Sequence, residues 1–172
     1  MKTLILGGVR SGKSRCAESL AASSGLPVTV IATAIAGDTE MQRRIAAHRV
    51  ARPVEWNVIE EPRHLGKALL VADQPRGAIV VDCLTLWLTQ LLESDDCNAL
   101  GSETAALRDV LPRLTSNVFL IGNETGLGIV PPGELTRRFV DAAGCLHQEL
   151  AEICERVIFM AAGLPLALKG AL

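Results

Sequence analysis

Residues 3–14, TLILGGVRSGKS, place a short apolar run directly before a glycine-rich loop that ends in lysine and serine. Gly7, Gly12, Lys13 and Ser14 match the phosphate-loop pattern G-x-x-x-x-G-K-[ST], in which backbone N–H groups and the lysine surround phosphates and the hydroxyl reaches Mg²⁺. The loop follows a predicted strand and opens a predicted helix, so its amides and the positive helix end converge on an anion. The stretch therefore predicts a nucleotide site, but it leaves the reaction open.

Length and composition narrow the class of protein. The chain has 172 residues, an ordinary length for one domain, and we expect a single domain over residues 1–172. A formal net charge of −2 and scattered basic residues argue against a nucleic-acid partner. Five cysteines without a C-x-x-C pair indicate reduced thiols and a cytoplasmic protein. The longest apolar run, residues 157–168, is interrupted by Gly163 and Pro165, so membrane insertion is not expected.

Short apolar runs alternate with longer segments of helical period, as expected for a parallel sheet covered by helices. The predicted strands are residues 3–6, 28–32, 78–81, 117–121 and 156–160. The predicted helices are residues 13–22, 39–50, 63–71, 84–92, 103–114 and 134–155, with a polar surface excursion at 93–102. The fold class is therefore α/β, with a mainly parallel sheet flanked by helices.

A second candidate site residue stands at the end of the run AIVVD, residues 78–82. Asp82 would lie where the carboxyl ends of parallel strands meet the ligand crevice, which suits a carboxylate that holds Mg²⁺. Asp is also a common N-cap, and a helix is predicted to start near Leu84. Beside a phosphate loop, support of the metal is the favoured interpretation.

The segment after the second strand carries a candidate nucleophile. Thr39 with Gln42 predicts a capping box that starts a helix ending near Val50. His48 lies on one face of that helix with other polar residues at intervals of four. Spacing alone is typical of a solvated face. The alternative is a neutral imidazole that attacks a nucleotide phosphate, flanked by arginines that neutralise the polyphosphate.

Several separated motifs, in order along the chain, resemble one family, the bifunctional adenosylcobinamide kinase/adenosylcobinamide-phosphate guanylyltransferases of cobalamin assembly. They are GG-x-RSGKS, then D-x-EM-x-x-RI-x-x-HR-x-x-RP-x-x-W, VDCLTLWL, NE-x-G-x-GIVP and GLPL-x-LK. The resemblance spans nearly the whole chain. It implies a P-loop, RecA-like domain that forms a homotrimer and uses Mg²⁺ with ATP and GTP as substrates.

The resemblance also implies site residues. The family's transient guanylyl carrier falls on His48, and Ser14 and Asp82 are the implied metal ligands. The implied nucleotide contacts are Gly7, Gly8, Val9, Arg10, Ser11, Gly12, Lys13, Ser14, Ala32, Thr33, Ala34, Arg49, Val50, Ala51, Arg52, Glu60 and Asp82. Glu61 adjoins Glu60, and counting from Trp56 favours Glu60 as the residue that matches the family's glutamate.

Two reactions follow from the resemblance. The γ-phosphoryl group of ATP or GTP passes to the hydroxyl of adenosylcobinamide, with Lys13 neutralising charge. GMP then passes from GTP through a guanylyl-histidine to adenosylcobinamide phosphate. The alternatives are a P-loop kinase of another small metabolite, without the second step, and a non-catalytic nucleotide-dependent switch. The loop NETGLGIVPP, residues 123–132, is compatible with either substrate contact or subunit packing.

Overall fold

The apolar run before the phosphate loop forms the strand β1, and the sheet is built outward from it. The computed structural model describes residues 1–43, 45–47, 49–50 and 52–172. Its strands are β1 (Lys2–Gly7), β2 (Val28–Ala32), β3 (Asn57–Glu60), β4 (Ala78–Asp82), β5 (Asn117–Asn123), β6 (Arg156–Ala161) and β7 (Leu164–Lys169). Its helices are α1 (Lys13–Ser23), α2 (Thr39–Ala51), α3 (Leu65–Ala72), α4 (Leu84–Leu92), α5 (Ala99–Val110) and α6 (Glu134–Ile153).

The seven strands form one sheet in the order β3-β2-β4-β5-β1-β6-β7. Every neighbouring pair is parallel except β6 and β7, which run antiparallel. The expected mainly parallel sheet flanked by helices is thus confirmed. Within the described part of the chain, no helix combines the length and the apolar character needed to cross a membrane.

Helices cover both faces of the sheet. On one face, Ala17 and Ala21 of α1 pack against alternate strand residues such as Ile5, Val80 and Phe119. On the other face, α3, α4, α5 and α6 cover a larger apolar layer centred on Trp87, which is fully buried. Near-continuous apolar strands are typical of a parallel sheet that is buried on both sides. These two apolar layers, one on each face of the sheet, hold the strands in place and so position the strand ends around the site.

The start of α2 differs from the predicted capping box. The N-cap residue is Asp38, whose backbone is extended and whose carboxylate accepts the Met41 N–H at 2.7 Å. Thr39 is already the first residue of the helix, so its pairing with Gln42 as a capping box was wrong. Asp and Thr are both good caps, and adjacent candidates cannot be ranked without the backbone geometry.

Three other elements depart from the prediction. Strands β3 and β7 were not predicted, and both are edge strands with mostly exposed residues. Helix α5 begins at Ala99, so part of the predicted surface excursion is helical, and a 3₁₀ turn at Leu111–Arg113 follows it.

In β7 the ammonium of Lys169 donates to the carbonyls of Ala151 and Glu152 at 2.8 and 3.1 Å, which satisfies the last turn of α6.

The cap at Asp38 can be tested directly. We expect Asp38→Ala to destabilise the first turn of α2 by about 1 kcal/mol, because it removes the acceptor for the Met41 amide. That loss corresponds to about fivefold faster amide hydrogen exchange at the start of α2. Thr39→Ala is the matched control and should leave exchange nearly unchanged. A larger effect of Thr39→Ala than of Asp38→Ala would restore the capping box.

Candidate active site

A cleft of about 1190 Å³ lies at the carboxyl edge of the sheet. Register brings the strand ends together there: Ala32 pairs with Asp82, and Gly7 pairs with Asn123. Parallel α/β sheets bind ligands at this edge. This volume is slightly above the roughly 300–1000 Å³ typical of small-ligand pockets, so the cleft has room for a nucleotide and part of a second reactant.

The phosphate loop forms one wall of the cleft. Gly12 precedes α1 in the left-handed region at φ 98°, and Gly7 has φ 148°. A Cβ atom at Gly7 would overlap the carbonyl oxygen of Met160 on the neighbouring strand, so only glycine fits at this turn. Outside the loop, the Gly163 N–H donates to Ser11 O at 3.0 Å. The loop is therefore held in shape by the protein itself.

Lys13 lies in this loop with only 6% of its surface exposed. Its ammonium donates to the Gly8 carbonyl at 2.6 Å and lies 3.5 Å from Ser11 Oγ. Burial lowers the pKa of Lys13, and electrostatic interaction with Cys83 and Asp82 opposes that shift. A buried ammonium with neutral hydrogen-bond partners is a favourable place for an anion to bind, because the anion would offset its desolvation.

Asp82 ends β4 with its carboxylate in the cleft wall. The carboxylate accepts a hydrogen bond from Arg52 Nη2 at 2.6 Å, and Arg52 Nε donates to Glu18 on α1 at 3.3 Å. The Arg52 side chain is only 6% exposed. The N-cap residue of α4 is Cys83. Asp82 therefore does not cap α4, and its carboxylate is instead bound by Arg52 in the wall of the cleft.

Thr33 fixes the backbone beside Asp82. Its hydroxyl donates to the Cys83 carbonyl at 2.7 Å and accepts the Cys83 N–H at 2.9 Å, and its own N–H donates to the Asp82 carbonyl at 3.1 Å. Thr33 is fully buried behind the wall that Ala32 and Ala34 line. Its place in the structure is that of a brace between β2 and β4.

The opposite wall comes from α2 and β3. Arg49 and Glu60 both line the cleft and form an ion pair. The Glu61 carboxylate instead accepts the N–H groups of Arg63 and His64, each at 2.9 Å. Burial alone would raise the pKa of Glu61, but these hydrogen bonds outweigh it and lower the pKa. Of the two adjacent glutamates, Glu60 is the one in the cleft.

Most of the residues expected at the site are brought together. Those that line the cleft are Val9, Arg10, Ser11, Gly12, Lys13, Ser14, Ala32, Ala34, Arg49, Val50, Arg52, Glu60 and Asp82. Gly7, Gly8 and Thr33 are not among the lining residues: Gly7 and Thr33 are buried, and Gly8 is an exposed residue of the phosphate loop. Two expected residues, His48 and Ala51, lie outside the described residues, as does Arg44.

Sequence reasoning missed several cleft residues. Asn123 and Thr85 line it, and Thr85 Oγ1 accepts the Asn123 N–H at 2.8 Å. Glu18 of α1 accepts a hydrogen bond from Arg52. The sequence pattern indicated a role only for the N-terminus of this helix, as part of the phosphate site. Asn123 begins the loop at residues 123–132, two residues after a predicted strand, and substrate contact was one of the two interpretations given to that loop, although Asn123 was not named as a site residue. Nothing in the sequence pattern singled out Glu18.

The donor set suits Mg²⁺ held partly by a nucleotide. Among the described residues no three His, Cys, Asp or Glu side chains cluster closely enough to hold a metal alone. The cleft offers the carboxylate of Asp82 and the hydroxyl of Ser14, while the carboxylate of Glu60, on the other wall, is paired with Arg49. Protein sites for Mg²⁺ commonly use one or two carboxylates with substrate phosphates and water. The residues present therefore fit a metal that enters with a polyphosphate.

Comparison with known proteins places these features in context. The model of the family described as cobinamide kinase / cobinamide phosphate guanyltransferase matches residues 3–168. The bifunctional adenosylcobalamin biosynthesis protein CobP of Pseudomonas aeruginosa is 58% identical over 170 residues, which cover 99% of this chain and 98% of that protein. The corresponding CobU protein of Escherichia coli is 35% identical over 182 residues, which cover 98% of this chain and 100% of that protein.

Solved structures match at much lower identity. A protein of Pyrococcus horikoshii has a TM-score of 0.58 at 11% identity, with 99% of this chain and 87% of that chain covered. The type III secretion ATPase EscN of enteropathogenic E. coli has a TM-score of 0.55 at 14% identity, with 94% and 43% covered. These likenesses concern the fold alone, and they confirm the expected RecA-like P-loop NTPase class.

Nucleotide binding in this cleft can be measured by thermal unfolding. With GTP and Mg²⁺ at about 100 times Kd, the midpoint should rise by roughly 5–10 °C. Lys13→Ala should abolish most of that rise, because it removes the buried ammonium from the loop. Lys67→Ala, on the exposed side of α3, is the control and should keep it. A full rise in Lys13→Ala would place the nucleotide elsewhere.

Proposed function

The chain belongs to the cobinamide kinase and cobinamide phosphate guanylyltransferase family, and from that premise we propose that both reactions run in the one cleft at the carboxyl edge of the sheet. The observation that carries the proposal is the composition of its walls. One wall contains the phosphate loop, with Lys13, and Asp82 at the end of β4. The opposite wall, formed by α2 and β3, contains Arg49 and Glu60. One polyphosphate could therefore be held for attack at either its γ- or its α-phosphorus.

In the kinase step, the hydroxyl oxygen of adenosylcobinamide attacks the γ-phosphorus of ATP or GTP, and the bond to the nucleoside diphosphate breaks. Such transfers depend mainly on positioning and on neutralisation of charge. Lys13 and the loop amides orient the phosphates, while Ser14 and Asp82 would hold Mg²⁺. The metal, when bound, supplies Lewis-acid neutralisation of the phosphate oxygens.

In the guanylyltransferase step, His48 attacks the α-phosphorus of GTP and releases pyrophosphate, leaving a guanylyl-imidazole. A phosphate oxygen of adenosylcobinamide phosphate then attacks the same phosphorus, and the P–N bond breaks to give adenosylcobinamide-GDP. Support comes from the neighbours of His48 in sequence, since Ile45, Ala46, Ala47 and Arg49 line the cleft. A covalent carrier divides one difficult displacement into two easier ones.

The remaining assignments rest on the family resemblance together with the position of the residues. Glu60, with its carboxylate in the cleft, contacts the guanine nucleotide, and Arg49 and Arg52 serve the polyphosphate. The protein acts as a cytoplasmic homotrimer of single-domain subunits and takes no nucleic-acid partner. A kinase of another small metabolite, without the guanylyl step, is the alternative that the following experiment excludes or supports.

The covalent step is tested with GTP labelled separately at the α- and γ-phosphates. We expect α-label to remain on the unmodified protein in an acid-labile, alkali-stable form, as for a phosphoramidate. His48→Ala should lose this label completely, because no imidazole remains at that position to carry GMP. Its kinase rate should remain a substantial fraction of normal, since γ-phosphoryl transfer does not pass through the imidazole.

His64→Ala is the matched control for the labelling experiment. His64 is exposed and hydrogen-bonds to Glu103 outside the cleft, so this variant should keep the α-label. Label that persisted in His48→Ala would assign the nucleophile to another residue. Absence of label from the unmodified protein would reduce the proposal to a kinase.

The role of Asp82 is tested by the metal requirement of the kinase reaction. Asp82→Asn should raise the Mg²⁺ concentration for half-maximal activity by about tenfold or more, because the amide is a weaker ligand than the carboxylate. Asp109→Asn, with a highly exposed side chain on α5, provides the control and should not change it. An unchanged requirement in Asp82→Asn would remove Asp82 from the proposed metal site.

A further inference from the structure

The proposed metal carboxylate is engaged by an arginine from the opposite wall of the cleft. Arg52 Nη2 lies 2.6 Å from Asp82 Oδ2, and the Arg52 side chain is 6% exposed. The same guanidinium reaches Glu18 of α1 through Nε at 3.3 Å. The carboxylates of Asp82 and Glu18, on two different elements, hold the buried Arg52 side chain in place. The position of this side chain in turn fixes the position of the Arg52 backbone.

The backbone that Arg52 fixes is the end of α2. Arg52 is the residue that terminates this helix, with φ −84° and ψ 144°, and Pro53 follows it. The chain then turns so that the Trp56 N–H donates to the Pro53 carbonyl at 3.1 Å, and Trp56 packs against the apolar layer beneath α1. Position 48, the proposed nucleophile, stands one helical turn before Arg52.

We propose that Arg52 is a positioning residue that occupies Asp82 in the nucleotide-free protein and exchanges this carboxylate for nucleotide phosphate when metal and nucleotide bind. The inference rests on the assignment of Asp82 to the metal site in the proposed function. A cation approaching Asp82 at short range is repelled by the guanidinium already bound there. The two positive charges therefore compete for the carboxylate.

The exchange gives the released guanidinium a new acceptor. Arg52 lines the same cleft as Lys13 and Ser14, and guanidinium groups bind phosphate oxygens through paired hydrogen bonds. Loading of the metal would thus free the end of α2 from β4 and attach it to the polyphosphate. Arg52 thereby couples the binding of metal and polyphosphate at the phosphate loop to the position of the helix that carries His48.

The competition is measured with Mn²⁺ as the probe, in the absence of nucleotide, by the electron paramagnetic resonance signal of the free ion. Because Asp82 and Ser14 alone bind a metal only weakly, Mn²⁺ is titrated into the millimolar range and the affinities of the variants are compared with one another. Arg52→Gln should bind Mn²⁺ about tenfold more tightly than the unmodified protein, because one positive charge leaves hydrogen-bond distance of Asp82. Equal or weaker binding by folded Arg52→Gln would overturn the inference. Arg108→Gln, which removes a half-exposed surface ion pair with Glu149, is the control and should bind as the unmodified protein does.

Two further variants keep the result interpretable. Arg52→Lys retains the charge but lacks the planar fork that reaches both Asp82 and Glu18, so its Mn²⁺ affinity should lie between the other two, and it replaces Arg52→Gln if that variant does not fold. Asp82→Asn should lose the Mn²⁺ binding. If it does not, the metal assignment of the proposed function fails, whereas a failure confined to the Arg52 variants overturns only the competition.

Movement of the α2 end is measured separately by Trp56 fluorescence. Mg²⁺ with GTP should change the emission of the unmodified protein, and Trp56→Phe should remove this change, which assigns it to Trp56 rather than to buried Trp87. In Arg52→Gln the change should be largely lost, because the helix end starts without its attachment to Asp82. An undiminished change in Arg52→Gln would show that α2 responds to nucleotide without Arg52.

Discussion

The parallel register of the central strands is the constraint on which the site depends. Because Gly7 is paired with Asn123 and Asp82 with both Ala32 and Ile121, four strands end within about two residues of one another. Side chains from distant parts of the sequence are thereby placed around one cleft. The apolar layers on both faces of the sheet keep these strand ends fixed, so the energy that positions the chemistry is mostly hydrophobic burial away from the cleft.

Several charged side chains of the cleft are engaged by partners within the protein. Arg52 meets Asp82, Arg49 meets Glu60, and the Lys13 ammonium is bound by a backbone carbonyl. Compensation of this kind limits the cost of burying ionised groups. It also means that a charged substrate reaches Asp82 or Arg49 by exchanging partners, whereas the Lys13 ammonium, whose partners are neutral, gains its counter-charge from the substrate. A metal–polyphosphate complex supplies both a cation for Asp82 and phosphate oxygens for Arg52. The metal alone or the polyphosphate alone supplies only one of these partners, so the complex should bind better than either ion alone.

The sequence predicted the interior well because buried parallel strands and the phosphate loop have strong patterns. Strands β1, β2, β4, β5 and β6 were found since each is a continuous apolar run. Strands β3 and β7 were missed because an edge strand with exposed residues carries no such run. At the site, Lys13 and Asp82 follow from local rules. The contact of Arg52 with Glu18 and Asp82 depends on how α2 lies over the cleft, which no local pattern encodes.

Strand β7 has a consequence for the behaviour of the protein at high concentration. Leu164, Leu166 and Leu168 are all more than half exposed on an edge strand, a combination that favours pairing with strands of other molecules. Pro165 interrupts the row of N–H donors that such pairing would need. Lys169 at the end of the strand adds a charge and ties it to α6. Strand β7 thus combines exposed leucines that favour edge-to-edge aggregation with Pro165 and Lys169, which oppose it.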